Sequence, residues 1–321
     1  MPFAELHLHV EGTLEPELVM ALAERNAVTL PNDDVVALRR AYSFTDLQSF
    51  LDLYYANMAV LRTPEDFADM TRAYLTRAAA GGVRHAEIMV DPQAHLVRGV
   101  PLEVAPVLAT SEAEHGVSTL LVAAFLRDRP EGEALDVLDR LVAADAPIAG
   151  IGLDSAEVGH PPSDFTRLYA RARAEGLRLI AHAGEEGPAS YVTDALDLLG
   201  VQRVDHGIRS LDDDAVVERL VAEQVPLTVC PLSNVALRAV ERIEDHPVLA
   251  MLDRGLNVTV NSDDPAYFGG YLDNNLAALE RSLGMTADQR ARLAANSIRS
   301  SFLPAGRRDA LLAEIDHPSA R

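Results

Sequence analysis

Short apolar runs alternate with longer amphipathic stretches along most of the chain. Eight runs have the length and composition of strands buried on both faces: Ala4–His9, Arg84–Val90, Ser118–Leu126, Ile148–Leu153, Leu177–Ala183, Val201–His206, Pro226–Cys230 and Leu256–Asn261. Helical stretches separate them. Strands alternating with helices argue a parallel α/β architecture, and eight such units predict a closed (β/α)8 TIM barrel.

End signals mark the helices. Thr63 offers a capping hydroxyl, Pro64 suits the first turn, and Glu65 and Asp66 complement the positive end of the dipole. Phe67, Met70, Tyr74, Leu75 and Ala78 then share one face, and Gly81-Gly82 ends the run. Similar signals bracket Glu131–Ala144, Ser163–Glu175 and Asp212–Gln224. The stretch Phe44–Leu61 exceeds what one βα unit needs, so a helical insertion is expected after the first unit. Its apolar positions (Phe50, Leu53, Tyr54, Met58, Leu61) read as core, with an active-site cover as the functional alternative. No repeat, low-complexity segment or linker interrupts the pattern, and residues 1–321 read as one barrel domain.

Composition narrows the partners. The chain carries 28 basic and 49 acidic residues, a formal charge of −21. Nucleic acids and anionic membranes need basic clusters, and neither is expected as a partner. The longest apolar run, near Val117–Leu126, is about half a bilayer span. The opening residues have no charged segment followed by an apolar one, so no secretory signal is expected. With a single cysteine, Cys230, the chain cannot form an internal disulfide, and the reading is cytoplasmic. All the basic residues are Arg. The absence of Lys removes Schiff-base chemistry, lysine-bound pyridoxal phosphate and the Walker A loop.

Chemistry concentrates at predicted strand ends. His7 and His9 are two apart in a strand, so both imidazoles face one side and form a chelating pair for zinc or a similar ion. His182-Ala-Gly-Glu185 closes the fifth strand, Asp205-His206-Gly207 the sixth, and Asn261-Ser-Asp263-Asp264-Pro265 the eighth. Barrel enzymes place catalytic groups at those ends. Imidazoles and a carboxylate there make a mononuclear metal site with one position open to water, and the reaction class is metal-assisted hydrolysis at a carbon centre. His206 or Asp263 would take the water proton, and Glu185 would protonate the substrate. His95 is the remaining histidine expected near the pocket. Cys230 has no partner thiol and reads as a buried strand-end residue.

These motifs, with Glu11-Gly12 and Cys230-Pro-Leu-Ser-Asn234, resemble the adenosine/adenine deaminase family of the amidohydrolases from residue 4 to about residue 275. The resemblance implies one zinc ion held by His7, His9, His182 and Asp263. It implies Glu185 as proton donor to purine N1, His206 orienting or deprotonating the attacking water, and Asp264 hydrogen-bonding N7. The segments Ile151–Pro162 and Asn261–Tyr271 look like the branch acting on free adenine, giving hypoxanthine and ammonia. Glu11 stands where adenosine deaminases carry Asp and is expected to fill ribose space. Ser155 is the expected partner of the N3 edge. Adenosine, N6-substituted adenines or another amidohydrolase substrate are the alternatives, and a homo-oligomer is left open.

Overall fold

The computed structural model describes residues 1–101 and 112–316. Eight parallel strands follow one another in sequence order: β1 (Phe3–His9), β2 (Val83–Val90), β3 (Ser118–Leu126), β4 (Ile148–Asp154), β5 (Arg178–Ala183), β6 (Arg203–His206), β7 (Pro226–Val229) and β8 (Asn257–Val260). They match the eight apolar runs to within one or two residues at most ends. The β6 run starts two residues late, and Val201 instead donates its backbone N–H to the Ala195 carbonyl of the preceding helical segment.

Closure between β8 and β1 is made by few bonds. The Asp263 N–H donates to the His7 carbonyl (3.1 Å), and the His9 N–H donates to the Asp263 carbonyl (3.1 Å). Lower down, the Leu6 N–H finds the Asn261 side chain at 2.8 Å in place of a backbone partner. The resulting (β/α)8 barrel is ringed by helices, with Ala287–Ser300 packed across the seam against both β8 and β1.

The barrel interior is filled, as the fold requires. Met89 of β2, Val122 and Ala124 of β3 and Ile180 of β5 meet inside, with Phe302 against them. Beside them lies a fully buried ion pair, Arg203 Nη1 to Glu87 Oε2 at 2.6 Å. Arg203 also donates to the Leu6 carbonyl (3.0 Å), and Glu87 accepts from the Phe302 N–H (2.5 Å). Burial works against the Glu87 charge, yet Arg203 and His85 hold its carboxyl below the usual range.

The expected helical insertion lies between β1 and β2. Helices Pro16–Arg25, Val35–Ala41, Leu47–Asn57 and Pro64–Ala80 fill that connection. Phe44, Leu47, Phe50, Tyr54 and Met58 pack with Leu237, Tyr267 and Phe268 at the C-terminal end of the barrel. The apolar face is therefore both a core and a roof over the site, while Leu61 belongs to the main core. No helix among the described residues is long and apolar enough to cross a membrane.

Arg203→Ala leaves Glu87 buried without its counter-charge. The expected loss is about 3 kcal/mol or more of unfolding free energy, read by urea denaturation.

Candidate active site

Four side chains converge at the C-terminal end of the barrel. His7 Nε2 and His182 Nε2 are 3.1 Å apart, and His9 Nε2 is 3.3 Å from His182 Nε2. Asp263 Oδ1 lies 3.4 Å from His7 Nε2 and 3.6 Å from His9 Nε2. His182 Nε2 can carry at most one proton, so hydrogen bonds alone do not satisfy these facing nitrogens. Donors at about 2.0–2.1 Å from a tetrahedral ion would stand about 3.3–3.4 Å from one another. The observed spacings fit a small divalent cation. His206 lies further out, its Nε2 3.9 Å from Asp263 Oδ2 and 3.6 Å from Glu185 Oε2.

A second layer fixes these groups. Asp205 is fully buried, accepts from Thr228 Oγ1 at 2.6 Å, and places Oδ2 3.4 Å from His182 Nδ1. Burial opposes its charge, but His7 and His182 hold its carboxyl well below the usual range. His7 Nδ1 meets the Thr228 carbonyl at 3.2 Å, and Ser233 Oγ donates to Asp263 Oδ2 at 2.7 Å. Such contacts set ring orientation and ligand basicity. The Asn234 amide lies 3.4 Å from His206 Nδ1. Cys230 is fully buried 3.5 Å from His7 Nδ1, and burial pushes its thiol up, so it stays neutral.

The backbone is strained where these side chains turn inward. Ser155, His206 and Asp263, at the ends of β4, β6 and β8, have φ of 71°, 61° and 63°. Left-handed non-glycine residues are uncommon and cluster at functional sites. Gly12 serves a different need: any side chain there would collide with the Asp264 carboxylate and Cα.

Glu185 and Asp264 open on the same cavity as His9, His182, His206 and Asp263. Burial, then Asp263, raises the Glu185 carboxyl well above its ordinary range, and the same two causes raise Asp264. Both are therefore biased toward the acid form. Burial, then His7, pushes His206 well below the usual imidazole value, so it is neutral and able to accept a proton. Burial holds His9 down to about 4, leaving its nitrogen free to coordinate. Ser155 lines the cavity with its Oγ 3.4 Å from the Tyr55 hydroxyl.

Glu157, unassigned from the sequence, proves central. It is 1% exposed and accepts four successive backbone N–H groups: Gly184 (2.6 Å), Glu185 (3.0 Å), Glu186 (2.8 Å) and Gly187 (2.7 Å). Arg127 lies 3.9 Å from it and donates to the His182 carbonyl at 2.8 Å. One carboxylate thus holds the loop that carries Glu185. Its only sequence signal is a lone acid after β4. Two expectations change. Glu11 does not face the cavity; its longer side chain reaches to the Asp91 N–H (3.1 Å) and His95 Nε2 (2.6 Å). His95 is buried by that bond and stays outside the cavity lining. The acids that do face the cavity there are Asp91 and Asp154.

Comparison with known proteins agrees with this geometry. Residues 2–318 match the family described as adenosine deaminase. An adenine deaminase of Streptomyces coelicolor is 59% identical over 308 residues, covering 94% of this chain and 91% of that protein. The crystal structure of an adenine deaminase from Arthrobacter aurescens is 68% identical, covers 98% of each chain and superposes with a TM-score of 0.97. An amidohydrolase from Burkholderia ambifaria, solved with bound Zn, is 29% identical with a TM-score of 0.89, covering 98% of this chain and 91% of that one. By sequence, fold and the arrangement of its strand-end residues, this chain belongs to the adenosine deaminase family.

Proposed function

We propose that the protein hydrolyses adenine to hypoxanthine and ammonia, using one Zn2+ held by His7, His9, His182 and Asp263. The observation that carries the reading is a buried Glu185, its carboxyl pushed above the ordinary range, 3.6 Å from His206 at the rim of a four-residue cluster. The adenine deaminases at 59% and 68% identity support the same substrate. When bound, the ion would lower the pKa of a water molecule in its open position toward 7.

The chain's own residues supply the remaining steps. Glu185 donates its proton to N1, which draws electron density from C6 and makes that carbon electrophilic. His206 takes a proton from the attacking water. Asp264 donates to N7 and holds the ring in register. His206 then returns its proton to the amino nitrogen, the C6–N bond breaks and ammonia leaves, while the C6 hydroxyl gives its proton back to Glu185 and the 6-oxo purine remains. Ser155 faces the N3 edge. Among the described residues the lining contains no Arg, so a phosphate-bearing substrate would find no countercharge there. A cytoplasmic setting suits the buried, unpaired Cys230.

The direct test is ammonia release from adenine, adenosine and N6-methyladenine by the zinc-loaded protein; adenine is expected to be turned over with the highest kcat/KM. Glu185→Gln should keep zinc and lose at least about 100-fold in kcat. Because the acid form of Glu185 is the active one, wild-type kcat should fall as pH rises through its elevated pKa. Asp264→Ala should raise KM for adenine far more than KM for 7-deazaadenine, which has no N7 to accept a bond. Glu157→Gln, which weakens the hold on the 184–187 backbone, should lower kcat about tenfold or more with zinc content unchanged.

A further inference from the structure

With N1 at Glu185 and N7 at Asp264, a purine is held between the loop after β5 and the loop after β8. Its C6 edge turns toward His206 on β6. The N3–C4–N9 edge then faces the opposite arc of the barrel, β2 to β4, and two carboxyl groups stand there. Asp91 follows β2 and Asp154 ends β4. Both line the cavity, are only 2% and 3% exposed, and bring a carboxyl oxygen each to within 4.8 Å of one another and of a His9 nitrogen. Asp154 Oδ2 is 3.5 Å from His9 Nδ1, and the Asp91 backbone is fixed by Glu11. The Oδ1 atom of each is buried with no partner among the described residues. Buried carboxyl oxygens without donors are costly, so a ligand that brings an N–H to them gains.

We propose that the Asp91–Asp154 pair is the specificity subsite for a free purine base, its cavity-facing carboxyl oxygens accepting the N9–H of the unsubstituted ring. This inference rests on the adenine reading above and adds the group that separates base from nucleoside. Free adenine ordinarily carries its imidazole proton on N9, which leaves N7 as an acceptor. The edge facing the pair then presents one donor, N9–H, and one acceptor, N3. Ser155 Oγ and the Tyr54 hydroxyl, itself buried and unpartnered, suit the acceptor. The carboxyl pair suits the donor. A glycosidic carbon on N9 removes the N–H and strands the pair without a partner, a loss that hydrogen-bonding sites use to reject analogues strongly. Discrimination against nucleosides is thereby assigned to Asp91 and Asp154, and Glu11 acts only by holding the Asp91 backbone.

The test compares adenine with its isostere carrying a ring oxygen in place of N9–H, which has nearly the same shape. Zinc-loaded wild type should lose about 100-fold or more in kcat/KM on the isostere. Asp91→Ala should shrink that factor below about 10, by losing rate on adenine and not on the isostere. Intrinsic differences in C6 reactivity cancel in this ratio of ratios. Asp154→Asn should move the factor in the same direction, and zinc should stay at one per chain in Asp91→Ala. A wild type that treats the two compounds alike overturns the proposal, as does an unchanged factor in both folded, zinc-loaded variants. A second zinc lost with Asp91 would assign the pair to metal binding and overturn it as well. Wild type that releases ammonia from adenine yet fails the comparison sinks this subsite alone; no ammonia from adenine sinks the adenine reading and the subsite together.

Discussion

The backbone of Asp263 sits between the carbonyl of His7 and the amide of His9, and these two bonds bring the first and last strands together above the Asn261 contact. The same residues carry the side chains of the metal-ligating cluster. Closing the sheet therefore sets the distance between the Asp263 carboxylate and the His7 and His9 imidazoles, 3.4 and 3.6 Å. Strand pairing is stiff, and its register is specified by every buried residue along β8 and β1. The cluster inherits that stiffness without needing a flexible loop. The left-handed φ of Asp263 is the local strain that turns its carboxylate inward at the seam.

A second constraint is the crowding of acids. Asp91, Asp154, Glu185, Asp263 and Asp264 all line one cavity, and all are buried. Like charges so close cannot all be ionised in a low-dielectric site. Asp263 keeps its charge by facing imidazoles, while Glu185 and Asp264 are driven toward the acid form. The electrostatic cost of gathering these groups thus sets them apart: a charged carboxylate facing imidazoles on one side, and carboxyls biased toward the acid form on the other. The four backbone N–H groups gathered on Glu157 engage both of its oxygens, next to Glu185 whose charge burial opposes.

Much of this was legible in the sequence because parallel strands buried on both faces leave continuous apolar runs, and because barrel chemistry sits at their ends. His7, His9, His182, His206, Asp263 and Asp264 were all read from that rule, and the structure brings them together. Other parts depend on contacts across the barrel that no local pattern encodes. Asp205 meets His182 only because β5 and β6 pair in one register, setting His182 opposite Asp205. Asp91 and Asp154 meet although β3 separates their strands. Glu11 was misjudged for the same reason: its type was visible, but the reach of its side chain toward His95 was not. The apolar face of the insertion could be read from its spacing, whereas the surface it covers could not.

That surface completes the argument. The helix Leu47–Asn57 does not merely lie over the opening; it is anchored to the segment that follows Asp264. Phe50 packs on Phe268 with ring centroids 4.6 Å apart, Tyr42 stacks on Tyr267 at 4.4 Å, and Asn57 Nδ2 donates to the Tyr267 hydroxyl at 3.1 Å. An aromatic roof tied to the Asp264 loop excludes water from the face opposite the metal-ligating cluster. In that drier setting each carboxyl interacts more strongly with its neighbours than it would in solvent. The insertion, the seam and the crowded acids therefore act on one another: the roof keeps the dielectric low, the low dielectric pushes Glu185 and Asp264 toward the acid form, and the seam keeps Asp263 the exception.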